Sequence, residues 1–146
     1  MSDHSVNIIM IEDDEGHARL IEKNIRRAGI ANAIRHFIDG TTALDFLFND
    51  PNGPACNGPA LILLDLNLPD MSGIDILAKI KVHPRMKRTP VVVLTTTDDK
   101  IEIQRCYDLG ANVYITKPVN YESFAKAIQQ LGLFLLVIQV PEVGEE

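Results

Sequence analysis

The chain predicts an α/β fold, a five-stranded parallel sheet wound on both faces by helices. Two observations carry that expectation. Short apolar runs alternate with longer amphipathic segments five times, and the apolar runs open on continuous rather than alternating apolarity, as strands buried on both faces do. The length of 146 residues, with 46% apolar and 23% charged residues, suits one globular domain whose core needs no disulfide or structural metal.

The first run, Val6 to Ile11, stops at Glu12, Asp13 and Asp14. From Glu15 to Ala28, Ala18, Leu20, Ile21, Ile25 and Ala28 recur near a helical period, and Gly29 supplies a stop. Asn32 to Ile38 reads as a weaker second strand, followed by a short helix from Gly40 to Phe48. Residues 49–59, with three prolines and two glycines, read as a loop. Ala60 to Leu64 is expected to be the most deeply buried strand, ending at Asp65. Ser72 caps a third helix from Gly73 to about Val82. Pro90 to Leu94 forms the fourth strand, ending at Thr95, and Asp98 or Asp99 caps a helix that Gly110 closes. Asn112 to Ile115 makes the fifth strand, and a last helix starts near Tyr121.

Composition excludes several classes. A net charge of −6 and a pI near 5.1 argue against wrapping a nucleic-acid backbone, and the densest basic run, Lys81 to Arg88, lacks aromatic partners for bases. No nucleic-acid partner is expected. Cys56 and Cys106 show no metal or redox spacing and read as free thiols. His4, His17, His36 and His83 show no ligand spacing either and are expected to be solvated. The N-terminus lacks the layout of a signal peptide, and the longest apolar run, Leu131 to Ile138, is far below the ~20 residues of a spanning helix. A soluble, cytoplasmic protein with no membrane partner is expected.

In such sheets ligands gather at the carboxyl ends of the strands, where strand order reverses. On that rim the expected fold collects Glu12, Asp13, Asp65, Thr95 and Lys117. Three carboxylates held together raise one another's proton affinity unless something positive is bound. Mg²⁺ suits them, because it takes a few carboxylates and keeps its other positions for water and phosphate. A carboxylate can also capture a phosphoryl group. Asp65 ends the most apolar strand, between the other clusters, and is the chosen acceptor.

The segment Leu61-Ile62-Leu63-Leu64-Asp65-Leu66-Asn67-Leu68-Pro69-Asp70-Met71-Ser72-Gly73 resembles the phosphoacceptor segment of two-component receiver domains, the CheY-like response regulators. Glu12-Asp13, Thr95 and Lys117-Pro118 fall where that family places its metal acids, switch hydroxyl and lysine. The resemblance covers residue 6 to about 130. It implies the flavodoxin/CheY-like fold and a phosphoacceptor, not an enzyme with a separate substrate, that takes a phosphoryl group from a sensor histidine kinase onto Asp65. It further implies Mg²⁺ held by Glu12, Asp13, Asp65 and the Asn67 carbonyl, and Thr95 moving inward together with Tyr114. Two positions depart from the common pattern. Glu12 stands where many receivers have Asp, and Thr96 where a smaller residue is commoner.

The expected domain spans 1–131, with an apolar arm and acidic end at 132–146. No effector domain follows in this chain, so a receiver standing alone and signalling through protein contacts is expected. Either a helix or a strand accommodates the arm. Its large apolar residues would be an aggregation hazard if exposed, and a two-fold interface would cover them. A homodimer through Phe124, Ile128, Leu131, Leu135, Val137, Ile138 and Val140 is therefore expected. This tail, with the Pro-rich 49–59 segment, resembles the small receivers that partner phytochrome-type kinases.

Three rivals remain. A flavodoxin-like cofactor binder would need a phosphate cradle after the first strand, where Glu12-Asp13-Asp14 would repel phosphate. A carboxylate-nucleophile phosphatase would want an acid two residues beyond the nucleophile, and that position is Asn67. A receiver-shaped scaffold that is never phosphorylated gains no support from a rim holding every required group.

Overall fold

The computed structural model describes residues 6–57, 60–96 and 98–117, together with Glu122 and Lys126. Strands β1 (Asn7–Ile11), β2 (Ile34–Phe37), β3 (Ala60–Asp65), β4 (Val91–Thr95) and β5 (Val113–Thr116) form one sheet. Its order is β2-β1-β3-β4-β5, and every neighbouring pair is parallel. Parallel pairing forces a crossover between strands. The crossovers are α1 (Glu15–Arg27), α2 (Gly40–Phe48), a single turn α3 (Pro54–Asn57), α4 (Gly73–Val82) and α5 (Lys100–Leu109).

Successive strand side chains point to opposite faces, so each strand feeds two cores. Ile9, Ile11, Ile62, Leu64, Val91 and Val93 pack with Leu47 of α2, with Leu77 and Ile80 of α4, and with Cys106 of α5. Ile8, Met10, Leu61, Leu63, Val92 and Leu94 pack on the other face against Ala18, Ile21 and Ile25 of α1. β3 is buried along its whole length, which explains why its run carries no polar residue before Asp65.

Helix starts follow the expected chemistry. Asp14, Asp39, Ser72 and Asp99 cap α1, α2, α4 and α5, each accepting a backbone N–H from the first turn. Gly110 ends α5 at φ 111°, a left-handed conformation that costs glycine least.

The sequence expectation needs adjustment at two places. Residues 49–59 are not wholly loop, since Pro54 opens the one-turn α3; proline is well suited to a first helical position, where no N–H is needed. β2 is also shorter than expected. It is an edge strand with Arg35 and His36 exposed, so apolar patterning marks its ends poorly. Glu122 and Lys126 both lie in helical backbone, within the span expected for the last helix. The arm at 132–146 and the residues expected to form a dimer interface, Phe124, Ile128, Leu131, Leu135, Val137, Ile138 and Val140, lie outside the described residues. Among the described residues no helix is long and apolar enough to cross a membrane.

Candidate functional site

The strand order reverses between β1 and β3, whose ends carry Glu12 and Asp65. Glu12 is fully buried. Its backbone N–H donates to Phe37 O at 2.9 Å, and its carbonyl accepts from His36 Nε2 at 2.7 Å, so both main-chain groups are tied to the β2 edge. The three consecutive acids then divide their work. Asp14 turns away to cap α1, its Oδ1 accepting the His17 N–H at 3.0 Å, and that bond holds its carboxyl below the usual range. Asp13 stays exposed on the rim, while Glu12 points inward.

Carboxylate oxygens of Glu12, Asp13 and Asp65 all lie within 4.8 Å of one another. Asp65 is 2% exposed. Burial pushes its carboxyl up to about 6, and the neighbouring Glu12 and Asp13 push the same way, against the Asn67 N–H and the Lys117 ammonium. The Asn67 N–H donates to Asp65 Oδ1 at 3.2 Å. Lys117 Nζ lies 2.6 Å from Glu12 Oε1 and 3.4 Å from Asp65 Oδ2. The lysine is itself pinned, because its backbone N–H donates to Thr95 O at 2.7 Å.

Thr95 closes β4, fully buried. Its side chain is a hydrogen-bond partner of Tyr114, which sits half-buried on β5. Burial of the Tyr114 phenol raises it to about 12, with Cys106 and Glu102 adding to the shift and Thr95 opposing it.

The loop from β3 to α4 is held at three points. Asn67 and Ser72 form an isolated antiparallel bridge, and the Gly73 N–H donates to Leu66 O at 2.9 Å. Asp70 crosses to α2, accepting the Gly40 and Thr41 N–H groups at 2.8 Å each and the Thr41 hydroxyl at 2.5 Å. Those bonds hold its carboxyl down at about 2.

An all-oxygen cluster with two buried members suits a hard divalent cation better than a soft one. Among the described residues the Lys117 ammonium is the cation facing Glu12 and Asp65 together, so the donors fit a metal that would share their charge.

The sequence pattern of the response regulator receiver domain matches residues 8–129. The chain belongs to that family. The receiver is 36% identical over 129 residues to the response regulator Rcp1 of Synechocystis, covering 88% of each protein. A crystal structure of a response regulator receiver domain from Rhodospirillum rubrum is 67% identical, with a TM-score of 0.76 over 96% of this chain and all of that one. The bacteriophytochrome response regulator RtBRR is 31% identical, with a TM-score of 0.79 over 97% of this chain and 83% of its own.

Within this receiver Glu12, Asp13, Asp65 and Lys117 are brought together, the Asn67 N–H bonds to Asp65, Thr95 ends β4 and Tyr114 lies on the neighbouring β5. Two of the exposed histidines also make contacts at this end of the sheet. His17 is not merely solvated: its Nδ1 lies 3.4 Å from Lys117 Nζ and 3.8 Å from Glu12 Oε2. His36 holds the Glu12 carbonyl. Ligand spacing could not find either residue, because neither is a spaced ligand. A usable signal for His17 was its place in the first turn of the helix that leaves the acid-bearing strand.

Proposed function

We propose that this receiver accepts a phosphoryl group on Asp65 from the phosphohistidine of a sensor kinase. The observation carrying it is the constellation at one strand-end crevice: a buried carboxylate, two further acids within 4.8 Å, and one ammonium within 3.4 Å. An Asp65 oxygen attacks phosphorus, the O–P bond forms, and the P–N bond breaks with its electron pair leaving on the donor imidazole.

Glu12, Asp13 and Asp65, with the Asn67 carbonyl, would hold Mg²⁺. Bound there, the ion supplies positive charge to the phosphoryl oxygens. The chain's own residues do the remainder. The Asn67 N–H occupies Asp65 Oδ1 and so directs the other oxygen, Oδ2, toward the donor. Lys117 pairs with a second phosphoryl oxygen. Thr95 turns its hydroxyl to a third and releases Tyr114, which rotates inward and carries the signal to the outer face of β5.

The domain is proposed to span 1–131, with the 132–146 arm completing a homodimer through Phe124 to Val140 and the output made by protein contacts. Similarity to RtBRR, and to the bacteriophytochrome response regulator AtBRR at 33% identity, favours a phytochrome-type kinase as donor.

Intact mass after incubation with acetyl phosphate tests the core of this reading. The wild type should gain one phosphoryl mass only with Mg²⁺, and Asp65→Asn none. No gain under either condition, followed by none from a cognate kinase, would refute it.

A further inference from the structure

An ammonium has three N–H donors and no acceptor. Around Lys117 Nζ the described residues place three acceptors: Glu12 Oε1 at 2.6 Å, Asp65 Oδ2 at 3.4 Å and His17 Nδ1 at 3.4 Å. Two belong to the reacting cluster. The third comes from the first turn of α1, one hundred positions away in sequence. Lys117 can only donate, so a hydrogen bond between the two requires His17 Nδ1 to present its lone pair and the ring hydrogen to sit on Nε2.

The ring is well placed for such a role. Its backbone is fixed by the Asp14 cap, and its side chain is 49% exposed at the mouth of the site. Glu12 Oε2 and Asp14 Oδ2 also face Nδ1, but at 3.8 and 3.9 Å they lie beyond hydrogen-bond reach.

We infer that His17 is a positioning residue for Lys117, fixing the direction of its ammonium while Asp65 is loaded; this rests on the phosphoacceptor reading above. With Glu12 engaged by a cation, the ammonium would lose its closest partner. A long four-carbon stem would then be free to fall back on Asp65 or swing outward. His17, standing on the solvent side, keeps Nζ at the height where a phosphoryl oxygen on Asp65 meets it.

The test compares full-length wild type, His17→Ala, His17→Asn, Lys117→Ala and the His17→Ala/Lys117→Ala pair, phosphorylated by acetyl phosphate across a Mg²⁺ series. His17→Ala should lower the rate at saturating Mg²⁺ by roughly three- to tenfold, the net worth of one ordinary hydrogen bond, since at 3.4 Å the contact is long and partly in solvent. Half-saturating Mg²⁺ should stay within about twofold, because His17 lies outside the acid cluster. Asn carries an acceptor oxygen near the place of Nδ1 and should restore the rate. Without Lys117 the alanine should change nothing more. An undiminished rate for His17→Ala, an equal loss in the Lys117→Ala background, or no rescue by Asn would each overturn the assignment.

A wild type that takes up no phosphoryl group would count against the phosphoacceptor reading instead. The imidazole ¹⁵N spectrum then decides for His17. Hydrogen on Nε2, with an Nδ1 resonance displaced by Lys117→Ala, supports the contact; hydrogen on Nδ1 refutes it.

Discussion

Lys117 Nζ lies closer to Glu12 than to Asp65, 2.6 Å against 3.4 Å, so the ammonium rests on an acid proposed for the metal rather than on the proposed phosphoacceptor. Both carboxylates are almost wholly buried, where opposite charges attract strongly and a lone one is costly. The lysine and a divalent cation therefore compete for the same charge.

Replacing Lys117 with Met should accordingly act in two directions. The metal-free protein should lose about 3–5 kcal/mol, because buried carboxylates lose their cation. Mg²⁺ should bind several-fold more tightly and restore much of that loss, while phosphorylation slows by at least about tenfold. Thermal unfolding across a Mg²⁺ series, alongside intact-mass rates, measures all three. An unchanged Mg²⁺ affinity would mean that the ammonium and the metal do not compete.

The opposite manipulation removes a charge from the crowded side. Burial and the adjoining acids disfavour ionised Asp65 more than Lys117 and the Asn67 N–H favour it, since its carboxyl is raised to about 6. Asp65→Asn should therefore stabilise the metal-free protein, by roughly 1–2 kcal/mol. Mg²⁺ should then stabilise the variant less than the wild type, because one ligand oxygen has lost its charge. Urea midpoints with EDTA and with Mg²⁺ give both comparisons. A variant less stable than wild type in EDTA would show that the Lys117 attraction outweighs the crowding.

The parts of this molecule legible in the sequence are those fixed by local pattern. α2 and α4 run between the expected residues, and Ser72 caps α4, because caps and apolar periods act within a few positions. Glu12, Asp65, Thr95 and Lys117 were legible for a related reason: each stands at or just past the end of an apolar strand, and a parallel sheet brings such ends together. What stayed hidden depends on contacts between distant elements. His17 meets Lys117 across one hundred positions, His36 reaches Glu12 across 24, and Asp70 reaches Gly40 across 30. Nothing in the residues near Asp70 announces that α2 is its partner.

That cross-link has a testable pH dependence. Asp70 accepts two N–H groups and one hydroxyl at the start of α2, and its folded carboxyl lies at about 2, below the ordinary 3.8. A carboxyl depressed on folding contributes stability above its unfolded value, and the contribution disappears as pH falls through the folded one. The wild type should thus exceed Asp70→Asn in stability by a constant margin from neutrality down to about pH 4. The margin should close between about pH 4 and 2. Urea midpoints of the two proteins over that range decide the matter, and a margin that persists at pH 2 would assign the effect to packing instead of charge.

The same loop depends on Gly73 for a different reason. A Cβ built there would lie 2.4 Å from Asp65 O and 2.7 Å from Leu66 Cα, and both are backbone atoms that no rotamer change can move. The close approach exists because the Gly73 N–H donates to Leu66 O at 2.9 Å while the loop folds back on the end of β3. Gly73→Ala must therefore push α4 away from β3 or displace Asp65 itself. Overpacking of this kind typically costs about 1–3 kcal/mol, and here it falls on the residue proposed to react. The variant should lose stability in that range and lose phosphorylation rate out of proportion to it, even at temperatures where it remains fully folded. Gly16→Ala is the control. It also lies at the start of a helix, but its Cβ would meet only the Asp14 side chain at 3.2 Å, which can give way. Parallel unfolding curves and acetyl phosphate time courses separate the two. Equal rates for both variants would show that the β3 terminus absorbs the added methyl group without moving Asp65.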